Sequence, residues 1–330
     1  MVRNILELLA SSLLCLSLFS CGRGPGGGPA SPAVQARSFP APYIPSTIIA
    51  PEERENYLAE HYWDAFLSGD GPTDSALVLG VRKEEVEQAF SNFAALIGDY
   101  PLERSDALMH GLFARVSAKQ RKDSASFFYN TFNEIVSRYL YDPNSPMRDE
   151  DLYLPYVQDM AASPLSREEM LPAYRYEAGA CSINRRGSVA PDFRIRMADG
   201  KFFSLHSVKA EHTLLFFSNP GCNNCREIGQ ELMSDAYLSQ MIGDGRLAVV
   251  NVYIDENIAE WRKYASGYPA SWHSGYDAGH SVRDGRLYDV RAIPSLYLLD
   301  DGKRVLLKDA PLEKVKKIVI FRDSSRTSEK

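Results

Sequence analysis

Two different patterns of apolar residues divide the chain. From Pro51 to about Ala180, apolar side chains recur every three or four positions, which is the spacing of helices that bury one face. This spacing predicts helices over Glu52–Phe66, Lys83–Ile97, Ser105–Ala118, Ala125–Leu140, Asp149–Ala161 and Ser166–Ala178. Ser166 and Glu169 have the spacing of a capping box at the start of the last helix. A mainly α-helical domain is therefore expected over residues 48–184.

After Gly187 the pattern changes to short apolar runs that are typical of strands. They predict strands over Phe193–Met197, Phe202–Leu205, Leu214–Ser218, Leu247–Ile254, Leu296–Leu299 and Arg304–Leu307. Ala198-Asp199-Gly200 predicts a hairpin between the first two, and a helix-like segment from Cys222 to about Met241 follows the third. Strands that alternate with helices predict an α/β domain over residues 185–330.

The first residues have the layout of an export signal. Arg3 precedes a mostly apolar stretch, Ile5–Phe19, which ends at the small residues Ser20-Cys21-Gly22. Leu18-Phe19-Ser20-Cys21 resembles the lipobox of bacterial lipoproteins, in which the cysteine carries the lipid. We therefore expect a signal peptide over residues 1–20, lipidation at Cys21, and a flexible tether over residues 21–47, which are rich in Gly, Pro, Ala and Ser. An ordinary cleaved signal is the alternative.

Composition narrows the classes of partner. The chain has 330 residues, of which 45% are hydrophobic, enough apolar material for a core and a length that fits two domains. It has 37 Lys and Arg against 43 Asp and Glu, and no long basic block that could neutralise phosphates, so nucleic acid is not expected as a partner. A lipid anchor would hold the protein in the cell envelope. In some bacterial lipoproteins, an acidic cluster after the lipidated cysteine is linked with export to the cell surface. No such cluster follows Cys21, so we expect the protein to face the periplasm.

Two cysteines carry the clearest chemical signal. The apolar run Leu214–Ser218 leads into Cys222-Asn-Asn-Cys225, where a helix is expected to begin. Residues three apart on the first turn share a face, so the two sulfurs can form a reversible disulfide. The helix N-terminus favours a thiolate on the first cysteine, and the second lies deeper. The spacing predicts Cys222 as the nucleophile and Cys225 as the resolving thiol.

Other roles for the cysteine pair are less favoured. Zinc would need a second pair of ligands at suitable spacing, and haem attachment would need histidine where Arg226 stands. A purely structural disulfide remains an alternative, although so small a loop restrains the unfolded chain little. No bound metal or cofactor is expected, because thiols would supply the electrons.

A proline opens one of the apolar strands. Ile293-Pro294 comes directly before the run Ser295–Leu299, and a proline at a strand start gives up one ladder hydrogen bond. A cis bond there would present the backbone of Ile293 to a bound peptide, and an ordinary trans proline is the alternative.

Residues 187–321 resemble the thioredoxin superfamily, specifically exported thiol–disulfide oxidoreductases of the TlpA/ResA type. The resemblance rests on Gly187-x-x-Ala-Pro-Asp-Phe193, Asp199-Gly-Lys201, Cys222-Asn-Asn-Cys225, and Ala292-Ile-Pro294 before Asp301-Gly302. It implies a thioredoxin-like fold, with Pro294 as a third catalytic-site residue and with Ile293 and Gly221 beside the client. The preceding region, with Tyr57-Leu-Ala-Glu-His-Tyr-Trp63-Asp, resembles the DUF5106 helical domain of Bacteroidetes lipoproteins.

The resemblance implies thiol–disulfide exchange with protein clients in the reducing direction, with an unidentified membrane electron donor or acceptor as a second partner. A membrane-anchored binding or scaffold protein without redox turnover is the alternative function. Phe216 stands where thioredoxins bury a proton-transferring aspartate, so Glu227 or solvent would have to move the proton.

Several other residues are expected to be structural. Cys181 is expected to be a lone, partly buried thiol. His273, Asp277 and His280 suit a polar loop over the dithiol better than a metal site, because their spacing fits no ligand pattern. Four aromatic residues at helical spacing are expected to be core, namely Tyr57, Tyr62, Trp63 and Phe66. The run Lys314-Val-Lys316-Lys317 is expected to be a solvated helix face.

Overall fold

The computed structural model describes residues 36–328. The expected signal peptide, the lipidation candidate Cys21 and most of the expected tether lie outside those residues.

A helical region comes first and contains one short hairpin. Its elements are α1 (Pro51–His61), α2 (Asp64–Ser68), β1 (Leu77–Val78), β2 (Val81–Arg82), α3 (Lys83–Gly98), α4 (Leu102–Lys122), α5 (Phe128–Leu140), α6 (Glu150–Ala162) and α7 (Leu171–Cys181). The expected helices are present, but four of them differ from the expected bounds by three residues or more. The segment 52–66 is split at Tyr62 and Trp63, and α4 extends beyond both expected ends. α5 begins three residues later than expected, and α7 begins five residues later, after a 3₁₀ turn. The prediction of a capping box at Ser166 and Glu169 is wrong, since Ser166 Oγ donates a hydrogen bond to the Met160 carbonyl and does not cap a helix.

An aromatic cluster forms the centre of the helical region. Trp63 is fully buried and makes edge-to-face contacts with Phe66, Phe93 and Phe132, with ring centroids 5.2–5.8 Å apart. Such contacts stabilise a core beyond the area that they bury. The prediction that Tyr62, Trp63 and Phe66 are core residues is therefore confirmed, whereas Tyr57 is only half-buried.

An α/β region follows, built on one mixed sheet. Its elements are β3 (Arg194–Met197), β4 (Phe202–Ser204), β5 (His212–Phe217), α8 (Asn223–Ser234), α9 (Ala236–Gly243), β6 (Leu247–Tyr253), α10 (Ile258–Tyr264), β7 (His273–Tyr276), β8 (Ser295–Asp300), β9 (Val305–Leu307) and α11 (Leu312–Ser328). The strand order is β4-β3-β7-β6-β5-β8-β9, with β5, β6 and β7 parallel. The predicted hairpin between the first two strands of the sheet is confirmed.

β5 is buried along its whole length because both faces of the sheet are covered. Successive side chains point to opposite faces. Leu214 and Phe216 therefore pack into one core cluster, and Leu215 and Phe217 pack into the other. β8 runs antiparallel to β5, and Phe217 at the end of β5 pairs with Ser295 at the start of β8. The residues after β5 and those before β8 thus share one edge of the sheet.

Two expectations for the α/β region are wrong. The single helix from Cys222 to about Met241 is two helices, because the carboxylate of Asp235 accepts from the backbone N–H groups of Tyr237 and Leu238 and begins α9. The segment expected as a polar loop contains β7, which pairs with β6 on one side and β3 on the other.

The two regions meet through charged side chains. Arg291 of the α/β region donates to Glu150 at the start of α6 over 2.6 Å, and Lys314 lies 2.6 Å from Asp149. Lys317 pairs with Asp99 of the helical region, whereas Lys316 pairs with Glu231 and Asp235 inside the α/β region. The interpretation as a solvated face holds for Lys317, which is 66% exposed, but is wrong for Lys314 and Lys316, which are largely buried against acidic partners.

Candidate active site

Cys222 and Cys225 lie where the buried central strand passes into α8. Cys222 is the N-cap residue, and its Sγ accepts a hydrogen bond from the backbone N–H of Cys225, with 3.1 Å between nitrogen and sulfur. The two cysteines are joined by a disulfide, with their Cα atoms 5.3 Å apart. This separation lies within the usual range for a disulfide.

Gly221 makes the connection between strand and helix. Its φ angle is +81°, in the left-handed region that glycine adopts at little cost. A Cβ at this position would meet no other atom within 4 Å. Glycine is therefore favoured here by the backbone conformation and not by a lack of space. The glycine thus directs the chain so that Cys222 caps α8.

The two sulfurs have different surroundings. Cys222 is partly exposed, whereas Cys225 is 6% exposed and belongs to the core cluster that contains Phe216. Backbone N–H groups and the positive end of the helix dipole favour negative charge on the sulfur of Cys222 once the disulfide is reduced. Burial disfavours charge on Cys225. The arrangement supports attack by Cys222 and resolution by Cys225.

A cavity of about 480 Å³, here called the dithiol cavity, opens beside the two sulfurs. Its lining is mainly apolar, and its large side chains are Phe216, Met233, Tyr264, Tyr268 and Trp272. An apolar wall of this kind can take up an apolar side chain next to the two sulfurs.

Among the described residues, no carboxylate lines the dithiol cavity. Phe216 is buried and borders Cys225, and Glu227 is exposed on α8 outside the cavity lining. The structure therefore does not bring the suggested proton donor Glu227 to the sulfurs.

The sequence analysis did not single out Asn251, a buried polar residue near the dithiol strand. Asn251 lies opposite Phe216 in β6, and its side-chain oxygen accepts a hydrogen bond from Ser218 Oγ. The signal was available as one polar residue inside the apolar run Leu247–Tyr253.

The Ile293–Pro294 peptide bond is cis. Pro294 directly precedes β8, at the sheet edge where the chain leaves β5 toward Cys222. Ile293 packs against the same core cluster as Cys222, and it lines a second cavity rather than the dithiol cavity. Gly221, by contrast, lines the dithiol cavity.

The other candidate residues are not brought to the dithiol as a group. Cys181 is fully buried at the end of α7, and burial raises the pKa of its thiol. His273 stacks on Phe203, and Asp277 accepts a hydrogen bond from the backbone of Val282. In the part of the chain that the structure describes, no cluster of three or more His, Cys, Asp or Glu residues could hold a metal ion.

Comparison with known proteins identifies the family. The crystal structure of a thioredoxin-like protein from Bacteroides caccae is 33% identical, with a TM-score of 0.72, and the match covers 86% of this chain and 98% of that one. The chain belongs to the thioredoxin-like protein family. Residues 21–178 match the domain of unknown function DUF5106. The expected fold, a thioredoxin-like α/β domain after a mainly helical domain, is therefore confirmed.

Other comparisons extend over less of the chain. A C-terminal domain of an uncharacterized protein from Bacteroides fragilis is 40% identical with a TM-score of 0.40, covering 41% of this chain and 96% of that one. No curated protein matches the chain. Within residues 36–328, no helix is long and apolar enough to cross a membrane.

Proposed function

We propose that this protein is a thiol–disulfide oxidoreductase that exchanges disulfides with protein clients through Cys222 and Cys225. One observation carries the proposal: the two cysteines are bonded to each other at the first turn of α8, and both line the dithiol cavity. A disulfide that only stabilised the fold would gain little from closing so short a loop. The thioredoxin-like fold supports the same conclusion.

In the reducing direction, the thiolate of Cys222 attacks one sulfur of a client disulfide. The client's S–S bond breaks, its other sulfur leaves as a thiolate that takes a proton from solvent, and a mixed disulfide forms. Cys225 loses its proton to solvent and attacks Cys222, which releases the client's second sulfur as a thiolate. Two electrons pass from the dithiol to the client, and Cys222 and Cys225 end as a disulfide. A membrane electron donor would restore the dithiol.

Two opposed effects determine the redox potential. The helix N-terminus stabilises the thiolate of Cys222 and so favours the reduced form, which makes the pair more oxidising. The apolar residues around Cys225 disfavour a thiolate and act in the opposite direction. We therefore expect a potential between those of thioredoxin and the strongly oxidising DsbA type, roughly −270 to −120 mV.

The potential can be measured by equilibrating the protein against glutathione buffers and counting free thiols. A titratable Cys222–Cys225 pair within that range supports the proposal. A pair that stays oxidised, or stays reduced, at every buffer ratio would contradict it and favour the scaffold function. A potential above that of DsbA would make the protein an oxidase.

We further propose that the protein acts in the cell envelope, held to a membrane by a lipid on Cys21 and facing the periplasm. The Leu18–Cys21 motif and the Gly- and Pro-rich stretch that follows support this location. Two or more acyl chains would give stable anchoring. Cys21→Ser should move the protein from the membrane to the soluble envelope fraction, and equal membrane retention of the variant would refute the anchor.

A further inference from the structure

A second cavity, of about 770 Å³, lies between the helical region and the α/β region and is here called the interdomain cleft. The end of α7 contributes Arg175, Tyr176 and Gly179 to its wall. The opposite wall comes from Ile254 and Asp255, directly after β6, and from the segment 282–293 that leads to β8. The cleft is therefore a feature of the two regions together, and neither forms it alone.

Charged side chains line both walls of the interdomain cleft. Four arginines and two aspartates, Asp255 and Asp289, belong to the lining. Arg283 pairs with Glu256, and Arg291 pairs with Glu150 and with Asp289. The two other arginines, Arg175 and Arg286, are exposed.

Arg175 and Arg286 are available for a ligand. Within the described part of the chain, neither forms an ion pair within 4 Å, whereas the cleft's other two arginines both do. Arg175 comes from the helical region and Arg286 from the α/β region, so a carboxylate-bearing chain between them would contact both walls. Guanidinium groups recognise carboxylates through paired hydrogen bonds.

The interdomain cleft adjoins the dithiol cavity. Asn219 lines the dithiol cavity, Asp255 lines the cleft, and the amide of Asn219 donates a hydrogen bond to the carboxylate of Asp255. Ile293 also lines the cleft and packs against the core cluster that contacts Cys222. A polypeptide held at Cys222 could therefore extend past Ile293 into the cleft.

The remaining lining suits a peptide better than a small anion. Tyr176 is 59% exposed beside Arg175, and Val290 and Ile293 add apolar surface. The volume exceeds that of a single ion, and the lining combines apolar contact with separated positive charges. An extended segment with acidic side chains would satisfy both features.

We propose that the interdomain cleft binds an acidic segment of the client polypeptide next to the client's cysteine, with Arg175 and Arg286 pairing with its carboxylates. This inference rests on the proposed function and gives the DUF5106 domain a role, because that domain supplies Arg175 and Tyr176. The helical region would select clients that the dithiol then reduces.

The first test compares two synthetic peptides as substrates of the full chain, with dithiothreitol supplied to restore the Cys222–Cys225 dithiol and its uncatalysed rate subtracted. Each has one cysteine in a mixed disulfide with 2-mercaptoethanol, flanked by Asp and Glu in one peptide and by Asn and Gln in the other. A partly exposed ion pair contributes up to about fivefold in binding, so two arginines predict a kcat/KM roughly tenfold higher for the acidic peptide. The preference should decline between about 50 and 500 mM salt.

Substitutions assign the preference to the cleft. Arg175→Gln with Arg286→Gln should bring the ratio of the two kcat/KM values close to one. Arg121→Gln is the matched control, since Arg121 is exposed on α4 and does not line the cleft, and it should leave the ratio as it is. Equal melting temperatures would show that the arginine variants are folded. A wild-type ratio near one, or a ratio that the double variant does not change, would overturn the proposal.

Peptide binding separates this inference from the proposed function. In a full-length variant with Cys222→Ser and Cys225→Ser, fluorescence anisotropy should show about tenfold tighter binding of the acidic peptide. If that preference is found but the wild-type protein reduces neither peptide, the cleft assignment stands and the redox function fails. If both peptides are reduced but binding shows no preference, the redox function stands and the cleft assignment fails.

Discussion

Lys308 Nζ lies 2.6 Å from Glu150 Oε2, and each side chain is 1% exposed. The lysine belongs to the α/β region and the glutamate begins α6 of the helical region, so a fully buried ion pair joins the two. Lys308 also donates to the backbone carbonyls of Ala180, Cys181 and Ile183. A buried charge keeps its place only when its partners are present, because desolvation costs several kcal/mol per ion.

Removing one charge from this pair should strongly destabilise the protein. Glu150→Gln keeps the shape of the side chain but leaves Lys308 buried without its anion, and it leaves Arg291 with only its longer pairs to Asp289 and Asp309. We expect the free energy of unfolding to fall by about 3–5 kcal/mol, measured by urea denaturation. The control is Asp99→Asn, which removes the exposed pair with Lys317 and should cost less than about 1 kcal/mol. Equal effects of the two variants would contradict the interpretation.

The three cysteines of the described chain should react at different rates with iodoacetamide. In the reduced protein at neutral pH, Cys222 should be alkylated about tenfold or more faster than Cys225, because it is more exposed and caps α8. Burial raises the pKa of Cys181, so its thiol stays protonated at neutral pH and should react only after unfolding. Mass spectrometry of peptides after timed exposure would measure all three. Faster modification of Cys225 would reverse the assigned roles.

Gly221→Ala should destabilise the protein without any steric clash. The left-handed backbone costs an alanine roughly 1–2 kcal/mol, and a Cβ there would meet nothing within 4 Å. Gly111→Ala is the matched control, because Gly111 lies inside α4 with the same free space, and that change should stabilise by roughly 0.5–1 kcal/mol. Thermal unfolding of both variants should show shifts of opposite sign, and a neutral Gly221→Ala would refute the backbone argument.

The cap of α9 should make a pH-dependent contribution to stability. The backbone N–H of Leu238, with further contributions from Lys316 and the N–H of Tyr237, holds the pKa of Asp235 below its usual value. A lowered pKa means that the stabilisation is present above the unfolded-state pKa of about 3.9 and is lost as the pH falls through the folded-state value. Asp235→Ala should therefore cost about 1 kcal/mol at pH 7, with a smaller cost in acid.

Asp235→Asn provides the comparison for this pH dependence. Asparagine caps a helix about as well as aspartate and does not titrate, so its difference from Asp235→Ala should stay nearly constant with pH. Denaturation of the two variants and the unmodified protein across the acid range would measure these differences. An Asp235→Ala cost that did not change with pH would show that the carboxylate charge is not what stabilises the cap.

Elements with a continuous apolar or periodic signal could be predicted from the sequence. β5 and β6 differ from their predicted bounds by no more than two residues, because long apolar runs indicate buried strands. β7 could not be found this way, since His273-Ser-Gly-Tyr276 contains no apolar run. Its strand conformation comes from pairing on both sides, and Gly275 permits the approach of β3, since a Cβ there would lie 2.8 Å from the Arg196 carbonyl oxygen.

Some residues of the candidate site could likewise be predicted from the sequence, and others could not. The cysteine spacing and the strand before it were sufficient to predict a disulfide pair at the start of a helix, because both signals are local. The cleft arginines and the buried pair of Glu150 and Lys308 had no local signal. An arginine on a helix end or a lysine just after a strand is normally solvated. Only the packing of two distant segments buries Lys308 against Glu150 and places Arg175 and Arg286 on facing walls of the cleft.

The distance along the chain between the buried charges affects how the molecule is made. Arg291 lies 141 residues beyond Glu150, and Lys308 lies further still. Because the chain emerges from its N-terminus, in synthesis and again in the export proposed above, the aromatic centre of the helical region can assemble before these cations emerge. Until then, the start of α6 remains an acidic surface in water, with Asp149, Glu150 and Asp151 side by side. The start of α6 is therefore hydrated in the newly made helical region and becomes buried only when the α/β region packs against it.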